Sequence, residues 1–260
     1  MREYFKKIWA ARYFWLHLAR AELKYKFRGS RLGLLWTMVN PLILMLIITL
    51  IFGNLFDIPM TDFAPYVFTG IVIWQFIQGT AINGCSSLLV SQAYIKQFPH
   101  PMVIYPLKTT LVELVSFLIA SLGLFLWMLF SNPANLGLTL LTLPITVICL
   151  ALLGWPLAIL TSAINLKYRD FAQILVIVLQ LVWYMSPVFF QADMFKTPQL
   201  IKLLEYNPIT HILNLLRAPL LYGALPSLID FAFVFGCIML FSILAIWHMR
   251  RVERTLIYYF

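Results

Sequence analysis

Six long apolar stretches set the terms for this chain: Leu34–Leu55, Tyr66–Leu89, Met102–Phe130, Leu136–Ile164, Phe171–Phe190 and Ile229–Met249. A bilayer hydrocarbon core of about 30 Å takes ~20 apolar residues at a rise of ~1.5 Å each, so each stretch reads as a transmembrane helix. The third and fourth exceed the nominal span and must tilt or run past the interface. The chain is 62% hydrophobic and 11% charged, against roughly 25% charged residues in soluble domains. A water-soluble fold is excluded. The expected fold is an all-α integral membrane protein forming one domain. Residues 1–33 make a cytoplasmic amphipathic interface helix, 34–249 a six-span bundle and 250–260 a cytoplasmic tail.

A net charge of +9 raises the question of nucleic acid, but membrane proteins concentrate Lys and Arg in cytoplasmic loops. With the N-terminus inside, the inner segments hold sixteen of the nineteen basic residues, and the outer ones keep only Lys196, Lys202 and Arg217. That asymmetry predicts N-in, C-in, with no nucleic-acid partner. The apolar run from Leu34 follows a basic leader too long for a signal peptide's charged region, so the leader is expected to stay in the cytoplasm.

Within the leader, Trp9, Tyr13, Leu16, Leu23 and Phe27 recur near a 3.6-residue period, while Arg20, Lys24, Arg28 and Arg31 form a second stripe. Glu22 and Lys26 have the spacing of an i,i+4 pair. Such a helix lies in the membrane interface with its basic face toward lipid phosphates or a cytoplasmic partner. In the next inner loop, Tyr94-Ile95-Lys96-Gln97-Phe98-Pro99-His100-Pro101, the two prolines stop a short helix at Phe98. Asp170, in Tyr168-Arg169-Asp170, is placed to cap the fifth span. On the outer side, Ile209–Leu225 is too short and too polar for an ordinary span and is broken by Pro219, which fits a re-entrant or interfacial helical pair.

Residues arranged for chemistry are few. The nearest approach to a phosphate-binding loop, Gly79–Gly84, is followed by Cys85 and lacks the lysine. His17, His100, His211 and His248 are scattered, with no metal-ligand spacing, and Cys85, Cys149 and Cys237 read as small apolar side chains. Asp193, Glu205 and Asp230 with His211 are the only outer acid–base candidates, and nothing in their spacing selects them. No catalytic, metal or cofactor residue is assigned. Glu113 is the one acid deep in an apolar stretch, which marks it as functional or else as hydrogen-bonded to helix partners, through Thr109 or Thr110. The aromatic residues Tyr66, Phe68, Trp74, Trp183, Tyr184, Phe189 and Phe190 crowd the outer side. They read either as an interfacial belt or as a path on which sugar rings stack.

The basic leader running into Arg31-Leu32-Gly33-Leu34-Leu35-Trp36 and Asn40-Pro41 resembles the permease subunit of type-2 ABC exporters, in particular the bacterial polysaccharide exporters. The likeness continues through Lys96-Gln97-Phe98-Pro99, Pro106-Leu107, Tyr168-Arg169-Asp170, Ser186-Pro187, Asn207-Pro208 and Arg217. This resemblance implies a homodimer in the bacterial inner membrane, with periplasmic re-entrant helices and two copies of a separate nucleotide-binding subunit that supplies ATP and magnesium chemistry. It also implies a lipid-diphosphate-linked glycan such as O-antigen, capsule or teichoic acid; exporters of drugs or other hydrophobic solutes share the plan. Arg20, Lys24, Arg28, Arg31, Tyr94, Lys96, Phe98 and Pro99 then become the expected contacts with the ATPase.

Overall fold

The computed structural model describes residues 2–98, 100–131, 137–191, 194 and 197–255. The readings placed on Pro99, on Asp193 and Lys196, and on the tail past Thr255 lie outside these. Among the described residues all regular structure is helical: α1 (Arg2–Ala10), α2 (Arg12–Lys26), α3 (Trp36–Phe56), α4 (Met60–Val90), α5 (Gln92–Gln97), α6 (Ile104–Ser131), α7 (Leu143–Lys167), α8 (Phe171–Tyr184), α9 (Pro198–Glu205), α10 (Pro208–Leu221) and α11 (Leu228–Thr255).

Among the described residues four segments are long and apolar enough to cross a membrane, Gly33–Phe56, Ile104–Phe130, Leu138–Lys167 and Leu228–Arg251, and the chain is a multi-pass membrane protein. The two remaining expected spans correspond to α4 and α8. Helix α4 has 31 residues, roughly 46 Å at 1.5 Å each, but is interrupted by Thr69, Gln75, Gln78, Thr80, Asn83, Ser86 and Ser87. Helix α8 has 14 residues, about 21 Å, and ends six residues before the apolar run does. Pro187 has no N–H to donate and biases Ser186 away from helical geometry. The chain turns there, with Ser186, Pro187 and Val188 buried.

Helix α4 is the centre of the bundle, packed against α3, α6, α7 and α10. From Phe63 to Trp74 every residue is buried, and Phe76 meets Phe117 of α6 edge to face at 5.9 Å. Lipid is as apolar as a leucine core, so such helices associate through close packing at small residues. A Cβ on Gly84 of α4 would stand 2.9 Å from the Ala158 Cα of α7.

The leader differs from the single helix expected. It breaks at Ala11, where the Trp15 indole donates to the Ile8 carbonyl at 3.1 Å. Its protein-facing stripe is Ile8, Ala11, Leu18 and Ala19, whereas Trp9, Tyr13 and Leu16 are exposed. The first part of the expected apolar face thus points away from the bundle, while Leu23 and Phe27 are half-buried, because a helix lying on a protein in a membrane must satisfy two apolar surroundings at once. Asp170 precedes α8 but makes no side-chain cap hydrogen bond.

Candidate functional site

A cavity of about 480 Å³ opens where α2, α3, α4 and α6 meet. Its polar lining comes mainly from one face of α4, where Gln75, Gln78 and Asn83 recur at helical spacing. Thr37 and Asn40 of α3 and Ser116 of α6 add to it, and Trp36, Phe76 and Phe117 supply rings. Amides and aromatic faces beside a carboxylate make a surface suited to a polar, ring-shaped solute, in a chain where polar groups are scarce.

Glu113 is the charged centre. Its Oε1 lies 3.1 Å from Lys26 Nζ and accepts from Asn83 Nδ2 at 2.9 Å. The carboxylate side chain is 8% exposed and the lysine 39%, so the pair joins a buried acid to a cation at the rim. A Cβ on Gly79 would come 2.7 Å from Glu113 Oε2; glycine at 79 is what lets the acid lie against α4. One turn earlier on α2, Glu22 Oε2 is 2.7 Å from Lys108 Nζ. Glu22 and Lys26 therefore do not pair with each other. Each reaches across to α6, with the charges reversed, and the two bridges fix both the position and the direction of α2. Thr109 and Thr110 play no part at Glu113: their hydroxyls donate to the Tyr105 and Pro106 carbonyls.

Of the expected contacts for a cytoplasmic partner, Arg20, Lys24, Arg28, Arg31, Tyr94, Lys96 and Phe98 are all exposed. Phe14 of α2 joins the leader to the loop after α4, with ring centroids 6.2 Å from Tyr94, 5.7 Å from Phe98 and 4.7 Å from His100. The sequence pattern pointed to the patch but not to Phe14, which lies on neither stripe read from the leader.

At the opposite end of α4, Arg217 of α10 is buried. It donates to the Thr69 hydroxyl at 3.2 Å and to the carbonyls of Tyr66 at 3.2 Å and Val188 at 3.0 Å, and its guanidinium lies 3.6 Å from the Tyr66 ring centroid. The Tyr66 hydroxyl donates in turn to the Phe190 carbonyl at 3.0 Å. Arg217 thus ties α10, α4 and the turn after α8 together, a role that no local signal announced. Phe68 and Trp74 are buried inside the bundle. Trp183, Phe189 and Phe190 form a half-buried aromatic cluster, with centroids 5.7 and 5.3 Å apart, and Tyr184 beside it is exposed. His211 Nδ1 is 2.7 Å from Asp230 Oδ1, and Asp230 Oδ2 accepts from Ser227 N and Oγ while Ser227 Oγ accepts from Asp230 N. That reciprocal pairing is a capping box for α11, so the acid and histidine serve to join α10 to α11.

Three curated relatives extend over most of this chain. Two are O-antigen export system permease proteins RfbA of Klebsiella pneumoniae, 24% identical over 80% of both chains and 25% identical over 89% of both. A third bears the same name in Myxococcus xanthus, 25% identical over 92% of both. The family model described as ABC-2 type transporter matches residues 13–221, which takes in nearly all of α2, the cavity and Arg217. The chain belongs to the ABC-2 type transporter family.

Proposed function

We propose that this chain is the membrane-spanning half of an ATP-driven exporter that moves a lipid-diphosphate-linked, O-antigen-like glycan from the cytoplasm across the bacterial inner membrane. The observation that carries the reading is the polar and aromatic cavity along α4. Amide and hydroxyl groups at membrane depth are costly without a partner, and sugar hydroxyls and ring faces are partners of the right kind. The names of the relatives point the same way. A homodimer encloses the path, six helices including α4 and α8 cross the membrane, and both ends lie in the cytoplasm, in keeping with the sixteen basic residues on that side.

Work is supplied by two copies of a separate ATP-binding subunit, which bring ATP and magnesium to the complex. They dock on the basic leader face and α5, and Phe14 and the two bridges to α6 carry their closure to the cavity wall. Inverting a two-state population from 1:99 to 99:1 takes about 5.5 kcal/mol of differential binding, so this linkage must be stiff, as two ion pairs and a three-ring contact make it.

The test is deletion of the gene in its host, with surface glycan and cytoplasmic lipid-linked glycan measured together. Loss outside with accumulation inside is expected. Normal surface glycan with altered sensitivity to hydrophobic solutes would overturn the reading in favour of a small-molecule exporter.

A further inference from the structure

A second hollow, of about 440 Å³, lies between α1, α7 and α11, away from the polar cavity. Its floor is one face of α11, on which Ile238, Ser242, Ala245 and Met249 recur at helical spacing, and Leu152 and Ile159 of α7 form a wall. Small side chains at 242 and 245 are why the helices leave room there. The Trp155 indole, donating to the Val103 carbonyl at 3.0 Å, holds another wall in place. Charge occurs only at the leader end of the groove, in Arg250 and Glu253.

Twelve residues separate Ile238 from Arg250, roughly 18 Å of helix at 1.5 Å per residue. That is close to the ~15 Å depth of one leaflet, half of a hydrocarbon core of about 30 Å. The groove is therefore apolar over the depth of one leaflet and basic where that leaflet's phosphates lie. Helix α1 straps its open side: Ile8 is buried, and the Tyr4 hydroxyl donates to Glu253 at 2.6 Å. Burial first, and then the neighbouring Glu253, raise the Tyr4 phenol's pKa, so it remains a donor. Glu253, the groove's one carboxylate, is thereby held toward α1. Arg250 is exposed and makes no ion pair among the described residues.

We propose that this groove is a binding site for a membrane phospholipid, one acyl chain lying along α11 beneath α1 and the phosphate resting on Arg250. The lipid is a structural ligand, distinct from any transported cargo, and it fastens the leader helix to the bundle. Its occupant is chosen by the lining: water has few partners there, and an acyl chain fills an apolar slot that opens toward lipid.

The experiment uses the full chain purified with its ATPase, native mass spectrometry to count retained phospholipid, and apparent Tm with and without added phosphatidylglycerol. Wild type is expected to retain one phospholipid per chain and to gain Tm with phosphatidylglycerol. Ser242→Phe fills the groove and should lose both, with Ser242→Leu as the milder filler should the phenylalanine prevent folding. Arg250→Gln should need about fivefold more lipid for the same gain, the equivalent of the ~1 kcal/mol a basic side chain contributes at an anionic surface. Equal lipid retention and equal Tm gain in wild type and the filled variant would overturn the proposal, as would a retained molecule that is not a phospholipid.

Discussion

Replacing Lys26 by glutamine should destabilise the protein more than replacing Glu113 by glutamine, although the two residues share one contact. Lys26→Gln leaves a carboxylate that is 8% exposed with Asn83 alone. Breaking a buried pair in this way costs ~3–5 kcal/mol. Because Lys26 itself is 39% exposed and the acid borders an open cavity, screening reduces this to about 2 kcal/mol. Glu113→Gln keeps an acceptor for Asn83 and releases the lysine to water, at ~1 kcal/mol or less. At ~2–4 °C per kcal/mol for a chain of this size, the expected drops in apparent Tm are ~4–8 °C and under ~4 °C. They are measured on the purified permease in one detergent at one scan rate, since such unfolding is kinetically controlled. The double variant should fall no lower than Lys26→Gln, because the charge left stranded by the first change is gone. Additive losses, or a larger loss from Glu113→Gln, would refute the argument that the cost lies in the buried acid.

Gly70→Ala should abolish folded protein, since the new Cβ would overlap the backbone carbonyl of Val188, while Gly79→Ala meets only the movable end of Glu113 and should cost ~1–3 kcal/mol; fluorescence-detected size exclusion separates the two. Arg217→Met is expected to cost at least ~3 kcal/mol, because the carbonyls of Tyr66 and Val188 lose a charged donor while buried. Lower yield and an earlier thermal transition would report it, and an unchanged transition would remove Arg217 from the account of the fold. Arg20→Glu combined with Lys24→Glu should abolish co-purification of the ATPase with the apparent Tm within ~1 °C of wild type, since both side chains are exposed.

Helix positions were legible because a bilayer imposes a length on apolar runs, and α6 and α11 begin within two residues of their expected starts. Helix α8 was overrun because an apolar count registers no turn, and Phe189 and Phe190 are as apolar as the helix before them. The leader's outward stripe of Trp9, Tyr13 and Leu16 was legible from its period, but the second apolar surface, Ile8, Ala11, Leu18 and Ala19, which meets the bundle, was not, because periodicity cannot tell a face that meets lipid from one that meets protein. Glu113 was conspicuous as a lone acid among apolar residues. Its partner Lys26 sits 87 positions away, and no local pattern carries that information. Gln75, Gln78 and Asn83 form one polar face of an apolar helix, a stronger signal in the sequence than the aromatic crowding on the outer side.

The bonds of Arg217 have a consequence for synthesis. Its three acceptors, Tyr66, Thr69 and Val188, all precede it, the latest by 29 residues. At a ribosomal pace of ~5–20 residues per second, Val188 leaves the ribosome about 1.5–6 s ahead of the guanidinium. The groups that accept from it are therefore all synthesised before it. Lys26 is made in the opposite order, 87 residues before Glu113, and must wait roughly 4–17 s at the same pace. A leader lying at the water boundary lets it wait in solvent. The two cations thus divide by birth order, the early one exposed at the rim and the late one buried among acceptors made before it.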